Sequence, residues 1–444
     1  MDMTAWGKYP TIDATCHRPT TPTAVAHLLH SQTGFSGIAR GLGRSYGDSS
    51  LATSMIDTGS LDHLLAFDDT TGLLRCSAGV SLADILTVYV PRGWFLPVTP
   101  GTKFVTIGGA IAADVHGKNH HLQGTFNEHI VSLRLMLASG DVIECSREQH
   151  PELFRATCGG MGLTGVVLDA TLRLVPISSA QINQTTIKAT NLAEAIDLFE
   201  EHHQTTYSVA WIDCLSTGAQ LGRSLLMLGE HSEGDEHGNK DPLEPGRPAA
   251  LSIPVDLPGA LLNRFSIKAF NTLYYHRVRR RYSEQTLHYE PFFYPLDSIR
   301  DWNRMYGKGG FTQYQFALPR EAGLAGMSAV LKRIAESRRG SFLAVLKAFG
   351  PANDNYLSFP IAGYTLALDL KLDSGLFTLL DELDHMVLDY GGRIYLAKDC
   401  RMSEATFKRS YPLWETFQEV RQRYGAVPHF QSLQAQRLGL CATP

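Results

Sequence analysis

Between residues 36 and 176, apolar and polar positions form short runs that glycine keeps interrupting. Residues 73–80 read as a strand ending in a turn, after which Ser81 can cap a helix over 82–89 with apolar residues at helical spacing. Residues 130–137 alternate as a strand, and Ser139-Gly140-Asp141 turns the chain into Val142-Ile143-Glu144. A helix is expected over 151–157, with Pro151 in its first turn, and another strand over 166–174. This pattern predicts an α+β region with mixed strand pairing.

From about Gln181 the elements lengthen. Leu192, Ala195, Ile196 and Phe199 share one face of a helix predicted over 192–203. Two strand–helix–strand passages follow, 311–318 with 321–337 and 342–349, then 364–370 with 376–390 and 393–395. Their short connections favour an antiparallel sheet covered by helices over a parallel one. Residues 231–248 are polar and rich in helix and strand breakers, and they read as a mobile loop. Residues 261–282 are apolar with a basic end formed by His276, Arg277, Arg279, Arg280 and Arg281. That end is either a solvated helix terminus or a surface for anionic lipid or a substrate phosphate.

Bulk properties narrow the function classes. A chain of 444 residues predicts two domains, or one large domain with insertions. Hydrophobic content of 44% and a net charge of −4 describe a soluble globular protein and argue against a general nucleic-acid binder. The seven cysteines are scattered without a Cys-x-x-Cys pair and read as reduced thiols. No run of apolar residues approaches the ~18 needed for a membrane span. Residues 1–20 carry Asp2, Lys8, Asp13 and Arg18 and lack the apolar core of a secretory signal. A cytoplasmic location is therefore expected, with any membrane contact peripheral and at the inner face.

The chemistry concentrates in three glycine segments. The first, Arg40, Gly41, Leu42, Gly43, Arg44, Ser45, Tyr46 and Gly47, follows the apolar Ile38 and can bring backbone N–H groups close to a diphosphate. It opens like a Rossmann fingerprint, yet the bulky Tyr46 occupies the place of the third small residue. A phosphate cradle of another kind is implied. In the second segment Gly101 and Thr102 precede Thr106, Gly108, Gly109, Ala112 and Ala113, with Gly117 and Asn119 beyond. Small residues there let a flat ring or a diphosphate lie against the backbone. The third segment, 159–165, includes Gly162. Together they describe a long cofactor laid across one domain.

These segments, with His116-Gly-Lys-Asn-His-His121, resemble the FAD-binding half of flavoenzymes of the vanillyl-alcohol-oxidase type. Trp211 with Asp213, Trp302-Asn303-Arg304, Gln313-Tyr-Gln-Phe316, Phe349-Gly-Pro351, Ser358-Phe-Pro360 and Tyr395-Leu-Ala-Lys-Asp399 sharpen the likeness. Over residues 36–437 the chain is similar to the decaprenylphosphoryl-β-D-ribose 2′-oxidase family. The resemblance implies an FAD domain over 1–178, a substrate domain over 179–390 built on an antiparallel sheet flanked by helices, and a return to the FAD domain over 391–444. It also implies that Lys398 and His116 serve the reaction, with Tyr395 and Ala397 beside the flavin. Covalently flavinylated relatives carry a His in the first loop or a Cys in the second, where this chain has Tyr46, Ala112 and Ala113. FAD is therefore expected to be dissociable.

Taken alone, His116 could be a structural histidine, and Lys398 a surface lysine with its stem buried. A metal site is not expected, because nothing at ligand spacing completes His116, His120 and His121. Asn303, Gln313, Gln315 and Lys347 are candidates for substrate contacts, or merely buried hydrogen-bonded groups. By resemblance Ala367 lines the pocket where the best-known members carry Cys, so agents that alkylate that Cys should not attach here. The reaction implied is oxidation of the 2-hydroxyl of a polyprenylphosphoryl ribose to a ketone. An NAD(P)H-dependent short-chain reductase would complete an epimerisation to the arabinose lipid for glycan arabinosylation in the cell envelope. Two other readings are open: a soluble aldonolactone or sugar-alcohol oxidase, and a non-catalytic flavin-fold scaffold.

Overall fold

A computed structural model describes residues 1–30, 34–234, 242–246 and 251–441. Near the N-terminus, β1 (Thr15–His17), β2 (Ile38–Arg40) and β3 (Ser54–Asp57) form a small parallel sheet in the order β1-β3-β2. A second sheet comprises β4 (Leu64–Asp68), β5 (Leu73–Ser77), β6 (Ile130–Met136), β7 (Val142–Ser146) and β8 (Val166–Arg173). It is antiparallel throughout, in the order β7-β6-β8-β5-β4. The pairing is thus mixed across the region.

Local chemistry sets these elements. Ser81 accepts from the backbone of Asp84 and the Asp84 side chain accepts from the backbone of Ser81, closing a capping box on α1 (Leu82–Tyr89). Gly140, at φ +79°, makes the left-handed turn between β6 and β7. Pro151 opens α2 (Pro151–Thr157).

The larger sheet has eight strands, β9 (Gln181–Ala189), β10 (Tyr207–Ile212), β11 (Ser224–His231), β12 (Tyr282–His288), β13 (Phe311–Pro319), β14 (Ala344–Phe349), β15 (Gly363–Lys371) and β16 (Arg393–Ile394). Their order is β12-β9-β11-β10-β14-β15-β13-β16, and every pairing is antiparallel. Amphipathic helices α3 (Leu192–Glu201), α5 (Gly323–Ser337) and α6 (Leu376–Asp389) pack on it. The predicted apolar-basic stretch contains α4 (Arg264–His276), and its basic end runs toward the edge strand β12. The fold class is α+β with an antiparallel sheet flanked by helices.

One continuous apolar cluster runs from Leu74 and Leu133 in the smaller sheet to Leu366 and Leu383 under the larger. Residues beyond β16 return to the N-terminal region: Gly37 bridges Phe430, and Arg437 pairs with Asp48. The fully buried Arg421 donates to the carbonyls of Leu163, Phe430 and Leu440, locking that return onto the third glycine segment. Of the predicted polar loop 231–248, residues 235–241 and 247–248 lie outside the described residues. Among the described residues no helix is long and apolar enough to cross a membrane.

Candidate active site

A cavity of about 660 Å³ separates the glycine segments from the large sheet. Its first wall is mostly backbone. Arg40 folds back beneath its own loop, donating to the carbonyls of Thr4 at 2.8 Å and Ser50 at 3.2 Å. A Cβ on Gly43, at φ +62°, would collide with that guanidinium, and one on Gly41 would collide with Thr106 Oγ1. Thr106 cannot yield freely, because it caps the helix Ile107–Ala112 by accepting from Gly109 N at 3.1 Å. The third segment joins the second through Met161 N, which donates to Ala112 O at 2.9 Å.

Most residues expected at the cofactor line this cavity: Arg40 to Tyr46, Gly101, Thr102, Thr106, Gly108, Gly109, Ala112, Ala113, Gly117, Gly162, Tyr395 and Ala397. A Cβ on Gly101 would enter open space. Gly47 and Asn119 are not on the lining. Gly47 abuts the backbone of Asp399, and Asn119 turns inward to donate to Pro97 O at 2.8 Å. Thr102 lines the cavity, but its hydroxyl is committed to Asp297 at 2.8 Å. Its work is to tie the second glycine segment to the chain beyond the large sheet's edge strand.

The facing wall is made of side chains. Gln313 and Gln315 on β13, Lys347 on β14 and Ala367 on β15 line it, as does Lys118 from the turn after His116. Asn303 does not; its amide donates to Trp6 O at 3.2 Å. His116 stands between the walls, its ring 4.9 Å from Phe349 and 5.2 Å from Tyr395. Its Nε2 lies 3.0 Å from Gln315 Nε2, and its buried Nδ1 has no partner among the described residues. His120 and His121 go elsewhere, to Gly350 N at 3.1 Å and Thr205 O at 2.8 Å.

Lys398 joins the walls. Its Nζ lies 4.0 Å over the Tyr46 ring, and Tyr46 N donates to Ala397 O at 3.2 Å. Tyr46, which excluded the Rossmann reading, is therefore the platform for the lysine.

The electrostatics are one-sided. Lysines 118, 347 and 398 and arginines 40, 44 and 277 line the cavity, against the single carboxylate of Asp297. Burial lowers the Lys118 pKa to about 7 and the Lys347 pKa to about 8, and in each case a neighbouring lysine adds to the shift. Burial also lowers Lys398, opposed by the charge of Asp369, whose own carboxyl is raised by burial. The Asp369 carboxylate accepts from Gln313 Nε2 at 2.5 Å, and its second oxygen has no partner among the described residues. His116 is held well below the ordinary imidazole range, by burial first and then by Lys347, His120 and Lys398. Such a pocket is prepared for an anion.

Sequence reasoning gave no role to Lys118, Asp369 or Asp297. Lys118 stands in the His116-Gly-Lys motif, where that neighbourhood was a usable signal. Asp369 faces Gln313 only through the β13–β15 register, which no local pattern reveals.

Comparison with known proteins bears on what fills this space. A family model described as an FAD binding domain matches residues 16–146. Decaprenylphosphoryl-beta-D-ribose oxidase of Mycolicibacterium smegmatis is 36% identical over 446 aligned residues, covering 98% of this chain and 96% of that protein. An uncharacterized protein in the mprA 5′ region of Streptomyces coelicolor is 34% identical over 378 residues, covering 81% of this chain and 100% of that protein. L-gulonolactone oxidase of Bos taurus is 31% identical over 150 residues, covering 33% of each chain. The glycine cradle, with its excluded Cβ positions and the unpartnered His116 Nδ1, fits a flat cofactor carrying a diphosphate, and that cofactor is FAD. With likeness running from end to end, the chain belongs to the decaprenylphosphoryl-β-D-ribose oxidase family and is an FAD-dependent oxidoreductase acting on a sugar.

Proposed function

We propose that the chain oxidises the 2-hydroxyl of a polyprenylphosphoryl-β-D-ribose to the 2-keto sugar. The observation that carries this reading is the convergence of Lys118, Lys347 and Lys398 on one cavity, where Asp297 is the one carboxylate among the described lining residues. A neutral lactone has no use for a cluster of buried amines, whereas a sugar phosphate pairs with those that carry a proton and leaves Lys398 free to act as a base. The full-length likeness to an oxidase named for a phosphoryl ribose supports the same substrate class.

FAD, when bound, supplies the hydride acceptor. The protein must hold the sugar and manage one proton. Lys118 and Lys347 hold the phosphate and the ring hydroxyls. Lys398, its proton affinity lowered by burial and partly restored by Asp369, takes up the hydroxyl proton as the C–H bond breaks. Gln313 and Gln315 fix the sugar ring, and Ala367 leaves it room.

The lipid tail needs an exit. Tyr274 and Arg277 line the cavity from the end of α4, whose buried face, Ile267, Asn271 and Tyr275, is clamped to the large sheet. On the same helix Phe265 and Leu273 are each 73% exposed, beside Arg264 and Lys268. This apolar face with basic residues at its margin suits peripheral contact with an anionic bilayer. The keto product would be reduced by a separate NAD(P)H-dependent short-chain reductase, giving the arabinose lipid used for envelope glycans.

Anaerobic titration of the purified flavoprotein with polyprenylphosphoryl ribose, free pentoses and aldonolactones tests the reading. Bleaching of the flavin by the lipid-linked sugar alone is expected. Bleaching by lactones with none by the lipid-linked sugar would overturn it.

A further inference from the structure

Two buried side chains outside the cation cluster, Thr365 and Gln315, decide how His116 presents itself. Thr365 Oγ1 lies 2.8 Å from Phe316 O. A carbonyl oxygen only accepts, so the threonine's single proton must lie between the two oxygens. The hydroxyl can then offer only a lone pair to Gln315, and the amide atom 3.2 Å away must be nitrogen. That same nitrogen lies 3.0 Å from His116 Nε2. Two donors cannot face each other at this distance, so Nε2 accepts.

All three residues are buried: Thr365 and Gln315 lie within the large sheet and His116 against Phe349 and Tyr395. The imidazole is neutral, because burial and the neighbouring Lys347, His120 and Lys398 oppose a second proton. Its one proton is left for Nδ1, the buried nitrogen without a partner among the described residues.

We infer that Thr365 is a positioning residue: through the Gln315 amide it fixes His116 as the tautomer protonated on Nδ1, so that Nε2, already occupied by the amide, does not take the substrate's proton. The tautomer follows from the geometry alone; its use in catalysis rests on the reading above. The proton of the alcohol is left to Lys398.

The test is nitrogen NMR of the holoenzyme labelled with ¹⁵N-histidine, with the His116 signals assigned by their loss in His116→Gln. The parent should show a protonated Nδ1 and a bare Nε2. Thr365→Ser keeps the hydroxyl and should preserve that pattern. Thr365→Val frees the amide to flip and should move protonation toward Nε2, with the rate of flavin reduction by sugar falling about tenfold and KM nearly unchanged, the scale of one lost hydrogen bond. Gln315→Glu replaces the donor by an acceptor and should protonate Nε2 outright. A protonated Nε2 in the parent, or an unchanged spectrum in Thr365→Val, overturns the inference. Should Thr365→Val not fold, an unchanged Nε2 in Gln315→Glu overturns it instead. This readout needs no sugar, so a failure of the lipid-linked substrate to bleach the flavin would leave the tautomer assignment standing.

Discussion

The two walls of the cavity are built by opposite means. The cofactor wall consists of three glycine segments, where side chains are excluded and the backbone itself makes the surface. The opposite wall consists of side chains projecting from β13, β14 and β15, joined by Lys118, and on the strands cross-strand register decides which groups meet. The first wall is specific because nothing can be added to it. The second is specific because Lys118 and Lys347 stand in a dry place with few counter-charges, where an anionic ligand stabilises their protonated forms. The difference predicts that damage to the cofactor wall shows in FAD binding, and damage to the sheet wall in turnover and charge.

The largest effect is expected at the junction of the two. Lys398→Met removes the ammonium that lies over Tyr46 and leaves an unbranched apolar side chain in its place. The rate of anaerobic flavin reduction by sugar should fall on the order of 10²- to 10⁴-fold, the range for loss of a positioned acid–base group. FAD content should stay near that of the parent. A variant that loses its flavin together with its activity would show that Lys398 belongs to the cofactor wall alone.

Next in size is the cofactor wall. A side chain at Gly41 must displace Thr106, which is committed to capping the helix behind the second glycine segment. Gly41→Val should weaken FAD binding on the order of tenfold to a hundredfold, since small displacements of a preorganised site cost that much. Flavin content after gel filtration measures it. The parent's FAD should leave the chain on acid precipitation, since among the described residues the lining has no cysteine and its one histidine engages Gln315.

The walls also differed in how far the sequence disclosed them. Glycine segments are local signals, and so are the Ser81 cap and the Gly140 turn. The antiparallel character of the large sheet, though not its strand order, was foreseen from short connections. Pairing was harder. That Gln315 sits opposite Ala367 and beside Thr365 depends on strands about 50 residues apart, and the pairing of Gln313 with Asp369 has the same origin. Asn303 misled because a polar residue amid aromatic ones suits a substrate contact, yet it holds the backbone of Trp6. Gly47 and Asn119 misled in the same way, being small or polar for packing reasons behind the cradle.

The smallest predicted effect separates the walls by proton uptake. Burial brings the folded-state pKa of Lys118 to about 7 and of Lys347 to about 8, against about 10.4 in an unfolded chain. Between those values the unfolded chain binds more protons than the folded one, so both lysines make stability rise with pH across this window. As pH falls toward 7 their penalty grows, and for Lys118 it is complete below its folded value. Lys118→Met removes one such group, whose ammonium lies over Phe292, and leaves an unbranched apolar side chain in its place. The variant should be more stable than the parent at pH 8, with the gap closing by about 1.4 kcal/mol per pH unit as pH rises toward 9.5. Urea unfolding of the FAD-free protein at the two pH values measures this. Valine at Gly41 should show no such slope, because it changes shape on the cofactor wall and adds or removes no titrating group. A gap between Lys118→Met and parent that stays constant with pH would mean that Lys118 keeps its proton in the folded chain and that the sheet wall is wetter than its burial implies.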